Sequence, residues 1–201
     1  MMKNNMKLTV LFAMIAILLS CNELPKKDGI TKKKVAKTEE VQKKEAEYKL
    51  FETLKNTTPS NVADLEAWIP KTLGGLSLER TKSHPIFGEV QMTAFYKRKE
   101  DKIINLNITD AAGPNGSMAA DKINVYGTER EYDVENQQHR SVNVKGRMAR
   151  QTYETEKNMT IISFFHKKRF MIMIMAHDHS VEETWNLVDE LDFEALDNLI
   201  N

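Results

Sequence analysis

Methionine and histidine side chains alternate along one segment near the carboxyl end of the chain. Met171, Met173 and Met175 have the same parity as His177 and His179, so a β-strand would place these side chains on one face. Thioether and imidazole groups suit copper, especially the reduced ion. The spacing therefore indicates a copper site at Met175, His177 and His179. The alternative is that the methionines fill an apolar core and the histidines mark the point where the strand leaves it.

Asp110 ends a segment of alternating apolar and polar residues and opens a loop rich in turn formers, residues 110–116. Loops at the ends of strands often carry ligand-binding side chains. Asp110 is therefore a candidate for a ligand or partner contact. An aspartate at such a position also accepts hydrogen bonds from the backbone that follows it, in an Asx turn.

Four basic residues follow one another at the predicted tip of a hairpin, namely His166, Lys167, Lys168 and Arg169. They stand between the two most apolar segments of the chain. Such a density of positive charge favours contact with phosphates or with an acidic partner. Charges beside hydrophobic strands also act as gatekeepers that keep those strands soluble.

Motifs for other chemistry are missing from the sequence. No serine lies in a Gly-x-Ser-x-Gly context, and the glycines at 74–75 and 113–116 lack the lysine and hydroxyl of a phosphate loop. The sequence predicts no catalytic residue, and a hydrolase whose residues converge only in three dimensions is the weakest of the functional hypotheses. Lys and Arg number 29 against 29 Asp and Glu, a balance that does not favour nucleic acid as a partner.

The amino terminus has the three parts of a secretory signal. Lys3 and Lys7 give a positive start, Leu8–Leu19 is uncharged and apolar, and Ser20 is a small residue before Cys21. The apolar stretch is shorter than the ~20 residues that a membrane-spanning helix needs. The junction at Leu18–Cys21 resembles the lipobox of bacterial lipoproteins. The alternative is an ordinary cleaved signal followed by a chance cysteine.

The lipobox resemblance implies that signal peptidase II cuts between Ser20 and Cys21, and that Cys21 carries fatty acyl chains, palmitate among them. Two or more acyl chains anchor a protein stably in a membrane. Asn22 after the cysteine implies an outer-membrane lipoprotein that faces the periplasm or the cell surface. Cys21 is the only cysteine, so lipidation leaves no thiol for a disulfide, a nucleophile or a metal ligand.

Three regions follow from this interpretation: a signal peptide at 1–20, a lipidated cysteine with a lysine-rich linker at 21–40, and a single domain at 41–201. The linker is poor in apolar residues and is expected to be a flexible spacer. Its lysines could also pair with anionic lipid headgroups. The domain is long enough to bury a core without cofactors or covalent cross-links.

Periodicity within the domain predicts an α+β fold. Helical spacing begins at Glu39 and runs to Leu54, and a middle helix is expected from Met118 to about Val125. Ser180 and Glu183 form a capping box that starts the carboxyl-terminal helices. Between the helices lie strands joined as hairpins. The sequence thus predicts an antiparallel sheet of about six strands packed between an N-terminal helix, a middle helix and C-terminal helices.

Two strands are expected at the centre of this sheet. Met159–Phe165 and Phe170–Ala176 are apolar at nearly every position, which predicts that both faces of these strands are covered.

The order of elements over residues 48–200 is similar to the PsbP-like α/β/α sandwich, which occurs in small non-enzymatic lipoproteins and assembly factors. That resemblance implies a non-catalytic role, although fold alone says little about function. The leading hypothesis is therefore a membrane-anchored binding or assembly module that meets a protein partner in the cell envelope. The alternative is a periplasmic copper-binding protein that uses the 171–179 strand.

Overall fold

A computed structural model describes residues 28–86, 89–97, 103–114, 121–123, 125–126, 128 and 130–200. The chain divides into two compact units, Met1–Lys44 and Glu45–Asn201. Helix α1 (Asp28–Asn56) begins in the first unit and ends in the second. It starts well before Glu39, where the helical spacing of the sequence begins. Glu40 and Lys44 form an ion pair one helical turn apart, at 2.9 Å, which is the spacing that supports an exposed helix.

In the described part of the chain, nine strands form one antiparallel sheet in the order β1-β2-β3-β4-β9-β8-β7-β6-β5. The strands are β1 (Thr72–Leu73), β2 (Leu76–Ile86), β3 (Glu89–Lys97), β4 (Ile103–Asp110), β5 (Glu131–Val134), β6 (Gln137–Val144), β7 (Arg147–Glu154), β8 (Met159–His166) and β9 (Phe170–His177). Strand β9 is the central one, because it pairs with β4 on one side and with β8 on the other.

The predicted fold class is wrong: the sheet has nine strands rather than about six. Strands β1 and β5 are not among the predicted strands, since β1 has two residues and β5 has four, all of them exposed. Strand pairing, not apolar periodicity, holds these short edge strands in place. The expected packing of the sheet between layers of helices is wrong as well, because the main core lies on one face.

That main core lies beneath three short helices, α2 (Val62–Trp68), α3 (Val181–Asp189) and α4 (Phe193–Asp197). Strand β9 alternates strictly between buried and half-buried residues. Its buried side chains are Phe170, Ile172, Ile174 and Ala176, and they share one cluster with Leu65, Leu187 and Leu196 of the helices. Full burial of one such large side chain contributes roughly 1.5–3 kcal/mol, so the many buried side chains on this face strongly stabilise the fold.

Capping and long-range hydrogen bonds fix the three helices on the sheet. Ser180 and Glu183 form the predicted capping box at the start of α3. The indole Nε1 of Trp68 donates to the carbonyl of Asp192, 2.7 Å away, which joins α2 to the start of α4. The Tyr96 hydroxyl donates to the carbonyl of Pro70 at 2.8 Å, and burial raises the pKa of Tyr96.

The opposite face of the sheet is more polar. Met171, Met173 and Met175 of β9 are only half-buried there, so the prediction that both faces of this strand are covered is wrong. A small second cluster of Leu54 and Ala111 lies away from the main core. The buried residues that β4 contributes to this face, Asn107 and Thr109, are polar. Alternation in β9 therefore separates an apolar core face from a mixed face.

Two tight hairpins set the register of the last three strands on the β5 side. Each two-residue turn uses backbone with positive φ, at Glu135 (42°) in the first and at Lys145 (52°) and Gly146 (79°) in the second. Turns of this handedness match the twist of the strands that they join. The register that follows places Tyr132 opposite His139, and His139 opposite Thr152. The side chains of this row line a cavity.

Candidate functional site

A cavity of about 210 Å³ opens over strands β5, β6 and β7. Its floor includes Tyr132, His139 and Thr152, which are neighbours across three strands. Val125 and Tyr126, from the segment before β5, form part of its wall. We call this feature the arginine cavity, because Arg130, Arg140 and Arg150 also line it.

Arg150 is fixed in position by neutral acceptors. Its guanidinium donates to the hydroxyl of Ser141, to the carbonyl of Val125 and to the hydroxyl of Thr128. It also lies 5.9 Å from the ring centroid of Tyr126. These contacts hold the orientation of the guanidinium but supply no negative charge, so the charge of Arg150 is not compensated by its partners.

Arg140 differs, because it forms a two-pronged ion pair with Asp133. The hydrogen bond from Arg140 holds the pKa of Asp133 below its usual value, and Asp133 in turn raises the pKa of Arg140. The pair is therefore neutral as a whole. Arg140 also donates to the carbonyl of His139 at 2.8 Å, which ties it to the floor of the cavity.

Arg130 has no hydrogen bond or ion pair from its side chain to any other described residue. The backbone of Arg130, by contrast, forms two hydrogen bonds with Ser141. The backbone N–H of Ser141 donates to the carbonyl of Arg130 at 2.9 Å, and the N–H of Arg130 donates to the Ser141 hydroxyl at 2.9 Å. Arg130 and Arg150 thus flank Ser141 across adjacent strands, with their Cα atoms on the order of 10 Å apart.

Aromatic groups form the other side of the floor. The rings of Tyr132 and His139 stack with centroids 4.4 Å apart and an interplanar angle of 19°. Both nitrogens of His139 have partners, Thr152 Oγ1 at 3.0 Å and Gln137 Oε1 at 3.1 Å. Tyr126 is also engaged, since its hydroxyl lies 2.8 Å from that of Ser163. The imidazole is therefore a fixed, flat surface.

The cavity combines positive charge with flat aromatic surface, and no carboxylate is among the described residues that line it. Two guanidinium groups without a counter-charge attract anions. Such a site can bind and orient an anionic molecule.

Asp110 and Arg169, two of the residues singled out in the sequence, form a buried ion pair. The guanidinium donates to both carboxylate oxygens, from Nε at 2.9 Å and from the terminal nitrogen at 2.8 Å. The backbone N–H groups of Ser60 and Ala112 also donate to Asp110, the latter in the geometry of an Asx turn. Burial alone would raise the pKa of Asp110, but the hydrogen bonds from Arg169, Ala112 and Ser60 lower it below its usual value. The pair joins β4 and the β8–β9 turn to the α1–α2 connection, since Arg169 also donates to the carbonyl of Thr58.

The other residues of the basic tip have separate surroundings. The imidazole Nε2 of His166 bonds to the carboxylate of Asp197, and its ring lies 5.0 Å from that of Phe193. That hydrogen bond lowers the pKa of Asp197. Lys167 Nζ lies 3.5 Å from the same carboxylate, while Lys168 is exposed. The four basic residues therefore do not form one patch.

Of the predicted copper ligands, two lie in β9 and the third follows the strand. Met175 and His177 are half-buried on the mixed face of β9. His179 is 7% exposed, and its Nδ1 lies 2.6 Å from the carbonyl of His177. Among the described residues, no group of three or more His, Cys, Asp or Glu side chains is arranged to hold a metal ion. Copper binding stays a prediction of the sequence.

The predicted cleavage site and lipid attachment, at Ser20 and Cys21, lie outside the described residues. Within the described ranges, no helix is long and apolar enough to cross a bilayer. Comparison of the chain with protein-family models, with curated proteins and with solved structures gives no significant match.

Sequence reasoning missed the arginine cavity. Arg130 and Arg150 stand 20 positions apart in the sequence, and only the register of three strands makes them neighbours. The available signal was the polar alternation of 131–134 and 137–144 on either side of Glu135 and Asn136. Recognised as a hairpin, this segment would have paired Tyr132 with His139.

Proposed function

We propose that this chain is a membrane-anchored bacterial lipoprotein whose folded domain is a non-catalytic binding module, with the arginine cavity as its ligand site. The observation that carries the proposal is the pair of guanidinium groups, Arg130 and Arg150, that line the cavity and have no carboxylate partner among the residues that the structure describes. Unpaired charge of one sign in a concave site is a feature of ligand binding rather than of folding stability.

The side chains of the cavity favour binding over catalysis, because those that could transfer a proton already have hydrogen-bond partners within the protein. A general base needs a nitrogen or oxygen within hydrogen-bonding reach of the substrate. Both ring nitrogens of His139 already have partners within the protein. The hydroxyl of Tyr126 is engaged by Ser163. These groups are suited to orient a ligand, and guanidinium groups to hold it.

The lipobox resemblance at Leu18–Cys21 supports the anchor. Acyl chains on Cys21 would hold the chain at the outer membrane, with the domain in the periplasm or at the cell surface. Mass spectrometry of the amino-terminal peptide from native membranes tests this part. We expect a peptide that begins at Cys21 and carries acyl mass, and none from Cys21→Ser. An uncut leader or a free thiol at Cys21 would contradict the anchor.

Co-purification of a small molecule tests the site. The full chain is isolated from its membranes and the small molecules released on denaturation are identified. Thr152→Phe places a large ring on the floor of the cavity, and we expect it to lose the bound molecule. Thr72→Phe is the matched control, because Thr72 is an exposed residue of β1 outside the cavity. Equal retention by both variants, or no bound molecule in the wild type, would contradict the proposal.

A further inference from the structure

We infer that the arginine cavity takes a small organic oxyanion, in which a carboxylate or phosphate is attached to a flat apolar body. This inference rests on the proposed binding function and names the class of ligand. It follows from charge, from the geometry of the unused donors and from the shape of the floor.

Charge comes first. Arg130 and Arg150 flank Ser141 on either side, and no carboxylate is among the described residues that line the cavity, so both guanidinium groups contribute to a positive potential there. The nearest acid on β5 that forms an ion pair is Asp133, and its carboxylate is committed to Arg140. An anion bound between Arg130 and Arg150 would be attracted by both guanidinium groups.

The donors are arranged for an oxyanion. A guanidinium presents five N–H groups in a planar fork that matches a carboxylate or phosphate. Arg150 uses three hydrogen bonds to fix its orientation, which leaves other N–H groups of the same fork for a ligand. The Arg130 fork has no partner among the described residues. One donor group is thus held in place before binding, which lowers the entropy cost of binding, and the other is free to close on the ligand.

Shape limits the rest of the ligand. The stacked rings of Tyr132 and His139 make a flat wall beside the arginines, and Tyr132 is 49% exposed, so it has surface left to cover. Flat apolar groups stack favourably on such rings. The volume of about 210 Å³ is below the roughly 300–1,000 Å³ of sites for drug-sized ligands. The ligand is therefore a small molecule.

Calorimetric titration of the full chain, extracted in a non-ionic detergent, tests the inference with three probes. Benzoate and phenyl phosphate carry the two oxyanions on the same ring, and benzamide is a neutral isostere of benzoate. We expect at least one anion to bind about tenfold or more tightly than benzamide, and its affinity to fall with added salt because the attraction between charges is screened. The better of the two anions identifies the head group.

Arg130→Gln removes the unpartnered guanidinium and should weaken binding of the anion by about ten- to hundredfold, the value of a hydrogen bond to a charged group. Arg130 is exposed, and its side chain forms no hydrogen bond or ion pair with another described residue, so its replacement should leave the fold intact. Arg80→Gln is the matched control. Arg80 is an exposed arginine of β2 that stacks on Phe95 at 4.5 Å, and its replacement should leave affinity unchanged.

Three results would overturn the inference. They are an affinity for both benzoate and phenyl phosphate no greater than that for benzamide, unchanged affinity for the anion in Arg130→Gln, and no binding of any probe by a protein that still co-purifies with a small molecule lost from Thr152→Phe. In each of these cases the proposed binding function survives. If no probe binds and no molecule co-purifies, the proposed function itself fails.

Discussion

Replacement of Arg169 by methionine tests the role of the buried ion pair with Asp110. The side chains are 8% and 0% exposed, so removal of the guanidinium leaves a carboxylate that water cannot reach. Methionine keeps most of the volume of the aliphatic stem, which limits the effect of a cavity. Arg169→Met also removes the donors to Thr58 and Ser60, and these hold the connection between α1 and α2.

Breaking a buried ion pair by removal of one partner costs about 3–5 kcal/mol. A domain of this size loses roughly 2–4 °C of Tm per kcal/mol, so the expected fall in Tm is about 6–20 °C. Most domains have a free energy of unfolding of about 5–15 kcal/mol, and we therefore expect a folded but weakened variant.

The stability of the wild type and that of the variant should also depend differently on pH. In the native protein the lowered pKa of Asp110 contributes stability that is present above the unfolded pKa of about 3.9 and is lost as the pH falls through the folded value. Arg169→Met removes the largest of the hydrogen-bond contributions that lower the pKa of Asp110, so the pKa of this carboxyl is higher in the variant than in the wild type. As the pH falls, Asp110 of the variant becomes neutral and is no longer a buried unpaired charge. The difference in free energy of unfolding between wild type and variant is therefore largest near neutral pH and shrinks in acid.

Urea denaturation followed by circular dichroism, at neutral pH and below pH ~4, measures both effects. Lys168→Met is the control, because Lys168 is the exposed neighbour in the same turn, and surface changes usually stay within about 0.5 kcal/mol. An Arg169→Met deficit no larger than that of Lys168→Met, or a deficit that does not shrink in acid, would refute this reasoning.

Three further changes test local features. Ser180→Ala removes the cap of α3 and should lower the free energy of unfolding by about 1 kcal/mol, as measured by urea denaturation; no change would show that the cap is replaced. Gly113 has a φ of 106°, and a Cβ there would lie 2.9 Å from Cγ of Pro59, so Gly113→Ala should cost about 1 kcal/mol or more in the same assay. In titrations with reduced copper we expect no saturable site, because His179 is only 7% exposed and, among the described residues, belongs to no group of three or more His, Cys, Asp or Glu side chains that could hold a metal ion; stoichiometric binding that His179→Ala abolishes would establish the copper site instead.

Features determined by local pattern could be predicted from the sequence. The capping box of Ser180 is confirmed, because caps depend on residues three positions apart. The alternation of Ile104, Leu106 and Ile108 correctly predicts a strand, although Asn107 and Thr109 on its other face are buried as well. These signals are short-range, and nothing elsewhere in the chain overrides them.

Features that depend on long-range pairing could not be predicted from the sequence. Asp110 and Arg169 both stood out in the sequence, but only the pairing of β4 with β9 brings them together across 59 positions. Strand β5 is exposed and only four residues long, so its alternation is too short to identify it as a strand. Without β5 and its register against β6, the sequence could not show that Arg130 and Arg150 are neighbours.

Native mass spectrometry of the wild-type chain, released from its own membranes in a mild detergent, tests the central claim most directly. One spectrum reports both the covalent mass at the amino terminus and any molecule held by the folded domain. We predict a chain that begins at Cys21 with acyl chains attached, and a second, dissociable mass from one small anion. A chain with an intact leader and no bound molecule would contradict the account.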